Sequence, residues 1–275
     1  MMFDEAGQFS EPRRSWLDPL RVQVRVVGAL IRRETRAHFG DMRLGYLWAI
    51  IEPGLHLVAY SLLFTYILRR HPLVGGSLVL FVLTGLIPYF LYAKLAIYLM
   101  GAIGSNRALL NLPPVKPFDV FASRAILEGA TYLLVGAILL TGLYLSGSPQ
   151  AIPRDPMNLI GAIVAILCFG FGVGMINAVI VAFVPNWATI FSVVLGPVYL
   201  LSGIFFLVDE VPSPIRVYLL YNPLLHLIGW FRSGFYPNYS TAYIDRLYAL
   251  KWAITVLVLG LGVLRVARRK LLEPK

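Results

Sequence analysis

The stretch PMNLIGAIVAILCFGFGVGMINAVIVAFVPNWATIFSVVLGPVYLLSGIFFLV, residues 156–208, contains no Asp, Glu, Lys or Arg. A helix needs about 20 apolar residues to span a bilayer, so this run holds two crossings. Pro185-Asn186-Trp187 supplies the breaker chemistry for a short turn between them. Inside hydrocarbon, backbone N–H and C=O groups must satisfy one another, which leaves helices or a closed barrel. Barrel strands alternate apolar and polar residues and this run does not, so its crossings are helices. Residues 71–93 and 129–153 are likewise free of charge.

Working outward, the pattern predicts six crossings at residues 44–68, 77–101, 119–145, 157–183, 187–207 and 246–265. The expected fold is an all-α membrane protein. A cytoplasmic N-terminal segment (1–43) carries an amphipathic interface helix, and a six-helix membrane body occupies 44–265. A re-entrant outer hairpin (211–239) precedes the last helix, and a basic tail follows (266–275). Composition agrees: 58% of the 275 residues are hydrophobic and 14% are charged, against about 25% in soluble domains. The mean hydropathy is +0.74.

The net charge of +10 does not imply a nucleic-acid partner, because the cations collect beside hydrophobic spans and no nucleic-acid-binding motif accompanies them. The single cysteine, Cys168, lies in an apolar run, which excludes a disulfide framework. The first 18 residues are polar, so no cleavable signal peptide is expected. Six crossings place both termini on one side. That side carries sixteen Lys and Arg residues and the other seven, with Lys94 left inside the membrane. The cation-rich side is expected to be cytoplasmic.

Asp18-Pro19 opens the first helix, with an N-cap side chain followed by a proline whose missing N–H costs nothing there. Leu20, Val24, Val27 and Ile31 share one face, while Arg21, Arg25, Arg32 and Arg36 cluster on another. Such a helix lies on the membrane surface, where a purely topological anchor and a docking face for a cytosolic partner are both consistent with it. Between Val211 and Tyr239, Pro212, Pro214, Pro223 and Pro237 cut an apolar segment into pieces too short to span. Those pieces suit re-entrant helices lining a cavity, or a cap over the bundle.

No phosphate-binding loop is present, because the chain contains no Gly-Lys pair, so ATP-driven work would need a nucleotide site on another chain. His38, His56, His71 and His226 lack the spacing of a metal site and read as packed or interfacial residues. No catalytic residue and no metal ligand is expected. Charged residues within crossings are costly and therefore candidates for function. Glu52 stands early in the first crossing, Lys94 is deep in the second, and Arg124 and Glu128 share a face of the third, where they can pair. The sharper reading puts Lys94 or Glu52 on a polar path, whereas snorkelling and local pairing are the structural alternatives. Tyr89, Phe90, Tyr92, Trp230, Arg232 and Tyr236 complete the candidate path residues. Aromatic rings suit sugar faces as well as membrane interfaces.

The run Arg33-Glu34-Thr35-Arg36-Ala37-His38-Phe39-Gly40, then Arg43-Leu44-Gly45-Tyr46-Leu47-Trp48-Ala49 and Glu52-Pro53, resembles the N-terminal signature of capsular polysaccharide export permeases. Gly85-Leu86-Ile87-Pro88-Tyr89-Phe90 is similar to that family's second crossing. Residues Asn106–Pro117 resemble its cytoplasmic loop, and Asn222-Pro223-Leu224-Leu225-His226 with Arg232 its outer hairpin. Gly229 and Ser233-Gly234 depart from the family, which commonly carries acidic residues there.

The resemblance implies a homodimer in the bacterial inner membrane, bound to two ATP-binding cassette ATPase subunits that hold ATP and magnesium. The permease itself would need no cofactor. It further implies a lipid-linked, acidic polysaccharide as substrate and a periplasmic or outer-membrane export partner. Arg32, Arg33, Glu34, Arg36, Arg43, Asn106, Arg107, Asn111 and Lys116 are the expected contacts to the ATPase. An O-antigen, teichoic-acid or small-molecule export permease is the nearest alternative, and a membrane-embedded transferase a more distant one.

Overall fold

A computed structural model describes residues 18–39, 44–67, 74, 77–110 and 115–272. The described residues contain helices and no strand. The helices are α1 (Asp18–Phe39), α2 (Leu44–Leu62, prolonged by the π-helical turn Leu63–Ile67), α3 (Leu78–Met100), the short α4 (Ala102–Ser105) and α5 (Arg107–Leu110), α6 (Pro117–Leu145), α7 (Pro156–Phe183), α8 (Trp187–Leu201), α9 (Ser213–Leu219), α10 (Pro223–Ser233) and α11 (Arg246–Leu272).

Local chemistry sets several helix starts. Pro117, Pro156 and Pro223 each occupy the first turn, where the absent N–H is no loss. The preceding turns are closed by side chains: Asp155 accepts from the Asn158 N–H at 3.0 Å, and Asn222 from the Leu224 N–H at 3.0 Å.

Among the described residues, five helices are long and apolar enough to cross a membrane: Leu47–Ile67, Leu78–Met100, Pro117–Leu145, Pro156–Phe183 and Arg246–Ala267. The sixth expected crossing is shorter than residues 187–207 suggest. At 1.5 Å per residue, the 15 residues of α8 cover about 22 Å, against a hydrocarbon core of about 30 Å. Two residues past its end, Gly203 adopts φ +76°, a left-handed conformation open to glycine, and the chain turns away. At the other end, α11 continues to Leu272, so the first part of the expected tail is helical.

The bundle is organised round α3, nearly all of whose side chains are buried. It packs on α7, α6, α2 and α10, while α7 also packs along α11. Glycines of α7 permit these close approaches. A Cβ at Gly174 would lie 2.6 Å from Leu99 of α3, and one at Gly172 would lie 2.6 Å from the backbone of Val256 and Leu257 in α11. Small residues at such crossings let helices gain contact without a hydrophobic driving force between them.

α1 packs on α6 through Leu30, which is buried with Ile103, Leu110, Val120 and Phe121, and through the partly buried Val26. Gln23 donates to Asp119 at the start of α6. Of the expected apolar face, Val24 is 74% exposed, while Val27 and Ile31 are half-buried.

The proline-rich segment from Val211 to Tyr239 divides as expected into short pieces. α9 has 7 residues and leaves Ile215, Val217 and Tyr218 exposed; α10 has 11 and is buried on α3, α7 and α11. Its far end is tied down where the Arg154 and Asp155 N–H groups donate to Gly234 O at 2.8 and 2.9 Å. His226 is a packed residue, as read. Its Nδ1 accepts the Asp245 N–H at 3.1 Å, so Nε2 carries the proton donated to Leu220 O at 2.8 Å. A cavity of about 670 Å³ opens beside it, lined also by Tyr243 and Arg246.

Candidate functional site

Residues four apart on a helix stand on one face. On α2 and its π-helical extension this places Glu52, His56, Tyr60 and Phe64 in one stripe, turned towards α3 and α8. Glu52 and His56 line a cavity of about 240 Å³ together with Tyr89, Phe90 and Lys94 of α3 and Tyr199 of α8. Lys94 Nζ donates to both Glu52 carboxylate oxygens, at 2.5 and 2.6 Å. The two side chains remain 25% and 28% exposed, so the pair faces the open cavity. The same ammonium lies 5.9 Å from the Phe90 ring centre, within cation–π range.

The rings above this pair form a continuous set. His56 meets Phe90 edge-on at 5.3 Å, and its Nδ1 is 3.0 Å from the Tyr199 hydroxyl. Tyr89 lies 4.7 Å from Tyr199 and donates its hydroxyl proton to Leu195 O at 3.1 Å. Tyr199 meets Phe205 at 5.2 Å, and Tyr60 approaches Phe205 at 4.2 Å. An ion pair at the foot and amphipathic ring edges along the wall can hold a polar, ring-shaped ligand by hydrogen bonds and ring-face contacts.

The other candidate path residues lie elsewhere. Tyr92 is buried and stacks on Phe169 of α7 at 5.3 Å. Trp230 donates to Asn158 Oδ1 at 3.3 Å, and Tyr236 is buried just past the end of α10. Arg232 is 1% exposed: its guanidinium donates to Gly203 O at 2.5 Å, Ile204 O at 2.6 Å and Phe81 O at 3.1 Å, and lies 3.8 Å from the Phe81 ring. It thereby pins the turn after α8 to the first turn of α3. Gly85 makes the room, since a Cβ there would sit 2.6 Å from Arg232 Nη2.

Arg124 belongs to a second polar cluster, and its partner comes from a helix that spacing along α6 could not reveal. Its Nη2 lies 3.2 Å from Glu34 Oε2 of α1 and donates to Ser105 Oγ at 2.6 Å. Tyr98 and Asn106 each donate to Glu34 at 2.9 Å, and Arg33 donates to Asn106. Burial alone pushes the Glu34 carboxyl up, but the Arg124 charge and these hydrogen bonds outweigh it and hold the group below its usual value. Among the expected ATPase contacts, Glu34 and Asn106 are thus buried struts fastening α1 to α3, α4 and α6. Arg32, Arg33, Arg36, Arg107 and Lys116 are exposed around them. Arg43 and Asn111 lie outside the described residues. No group of three or more His, Cys, Asp and Glu suited to a metal ion occurs among the described residues.

Residues 25–236 match the ABC-2 type transporter model, which takes in α2 through α10 and most of α1. The chain belongs to the ABC-2 type transporter family. It is 33% identical over 251 residues to the polysialic acid transport protein KpsM of Escherichia coli, covering 91% of this chain and 96% of that protein. To the capsule polysaccharide export inner-membrane protein CtrC of Neisseria meningitidis serogroup A it is 31% identical over 268 residues, covering 96% and 98%. BexB of Haemophilus influenzae, another capsule polysaccharide export inner-membrane protein, is 27% identical over 250 residues, covering 90% and 92%. For an ABC-2 transporter chain, the expectation of a multi-pass membrane transport subunit holds, and the transferase alternative falls away. His56 was read only as a packed or interfacial histidine, and Tyr60 and Tyr199 were not singled out. The spacing of four from Glu52 would have found the first two.

Proposed function

We propose that this chain is the membrane-spanning permease of an exporter that moves a lipid-linked, acidic capsular polysaccharide across the bacterial inner membrane. The observation that carries the reading is end-to-end similarity to proteins named for polysialic acid transport and capsule polysaccharide export. An ABC-type permease works with an ATP-hydrolysing partner. Two ATPase subunits, binding ATP and magnesium, dock on the exposed cations Arg32, Arg33, Arg36, Arg107 and Lys116. Both termini are cytoplasmic, and a periplasmic partner receives the glycan.

A homodimer is the working unit. It is supported by α2, the least buried of the five spans, which exposes Trp48, Ile51, Leu55 and Val58. The Glu52–Lys94 cavity and its rings form part of the glycan path: a sugar carboxylate takes the place of Glu52 on Lys94, and sugar faces pass along the aromatic edges. Desolvating that carboxylate is costly unless a cation meets it, which Lys94 supplies. Deleting the gene should abolish surface glycan without sensitising cells to drugs. Drug sensitivity with intact surface glycan would overturn the substrate assignment.

A further inference from the structure

A second cavity lies on other helices. α6 on one side and α7 with α11 on the other leave a groove of about 520 Å³ over Leu95 of α3. α6 and α7 each pack closely on α3 but scarcely on each other, and α6 turns Ala122, Ala125 and Gly129 towards the gap. Apart from the Cys168 thiol, no hydrogen-bonding or charged side chain lines it, so neither sugar nor nucleotide would recover the cost of entering. At its α1-proximal end Phe118 and Phe171 meet edge to face across the two walls, 6.2 Å apart. Just beyond, Lys116 stands two residues before Phe118, and Arg265 one turn past Leu261. Both are exposed, and neither has an ion-pair partner among the described residues.

We propose that this groove binds an acyl chain of an anionic phospholipid from the leaflet on the α1 side, with Lys116 and Arg265 holding the headgroup phosphate. Hydrocarbon is the only apolar solvent available to a membrane-facing groove. Cations between transmembrane helices at the headgroup level are the recognised means of selecting anionic lipid. The volume falls within the roughly 300–1,000 Å³ of ordinary ligand sites. The site is separate from the glycan path; it shares Lys116 with the ATPase-docking face, so the test uses the permease without its ATPase.

The chain's single cysteine lines the groove and reports its filling. In the full-length chain purified in neutral detergent, alkylation of Cys168 by N-ethylmaleimide is timed while phosphatidylglycerol or phosphatidylcholine is added. Phosphatidylglycerol should slow alkylation at about tenfold lower concentration than phosphatidylcholine, as two cations near the headgroup warrant. Lys116→Gln with Arg265→Gln should remove that difference, and native mass spectrometry should show the phosphatidylglycerol adduct of the wild type lost from the double variant. Equal protection by the two lipids, or a preference that survives the double variant, overturns the headgroup assignment. Alkylation indifferent to both lipids overturns the site itself.

Discussion

Lys94 of α3 grips both oxygens of Glu52 on α2, at 2.5 and 2.6 Å, with each side chain about a quarter exposed. The pair therefore ties the least buried span to the most buried one while staying partly exposed. Both the structural and the path reading of Lys94 survive in this geometry, and paired variants separate them. Lys94→Gln should lower stability by about 1–3 kcal/mol, because it strands a carboxylate, with the partial exposure holding the loss to that range. Lys94→Gln with Glu52→Gln should restore the thermal midpoint in detergent. If the double variant is stable and still exports glycan normally, the pair is a strut and not part of the path.

Gly85→Ala should destabilise the end of the bundle where α3, α10 and the turn after α8 meet. Its Cβ would lie 2.6 Å from the buried Arg232 guanidinium and 3.0 Å from the Ile204 backbone. Overpacking of this kind costs about 1–3 kcal/mol, read as a lower midpoint in thermal unfolding. An unchanged midpoint would mean that Arg232 has slack that its three carbonyl bonds do not suggest.

Glu34 gives the docking of α1 a pH dependence. Its folded carboxyl titrates below the usual 4.5, so its contribution is complete above that value and is lost as pH falls through the lower folded value. The protection of α1 amides, taken relative to the intrinsic exchange rate at each pH, should be high at neutral pH and fall only in acid below about 4.5. Glu34→Gln should show low protection throughout, since losing one partner of a buried pair costs about 3–5 kcal/mol. High protection in Glu34→Gln would show that Leu30 and Val26 suffice to hold the helix.

Orientation is open to direct labelling in a Cys168→Ser background. Cysteines placed at the exposed Ser146 and Tyr218 should react with an impermeant maleimide in intact cells, and one at Ala108 should not. Outside reaction at Ala108 would invert the topology inferred from the cations.

The crossings were legible because lipid imposes one rule on every residue of a span, and a charge-free run announces it. Helix starts at Pro117, Pro156 and Pro223 were legible for an equally local reason. Gly203 was the place where a local signal was present and outweighed by apolar neighbours, so α8 was drawn too long. The sites fared differently. Glu52 and Lys94 stood out because charge in a span is rare, but Arg124–Glu34 joins helices 90 residues apart, and nothing in either stretch names the other. His56 was judged singly, when its meaning lay in standing four residues from Glu52 and Tyr60. Gly85 and Arg232 make the same point, because a cavity cut by one helix for another is a property of the pair.

The wrapping of α3 also bears on how the chain is made. Spans enter the bilayer in order, so α3 is released into lipid before α6, α7 and α11 have been synthesised. In the finished molecule almost none of its surface touches lipid. It must therefore exchange one solvent for another late in biosynthesis, carrying Lys94 throughout. Glu52, carried by the span inserted just before it, is a counter-charge already present during that wait, which lets the pair escort its own helix.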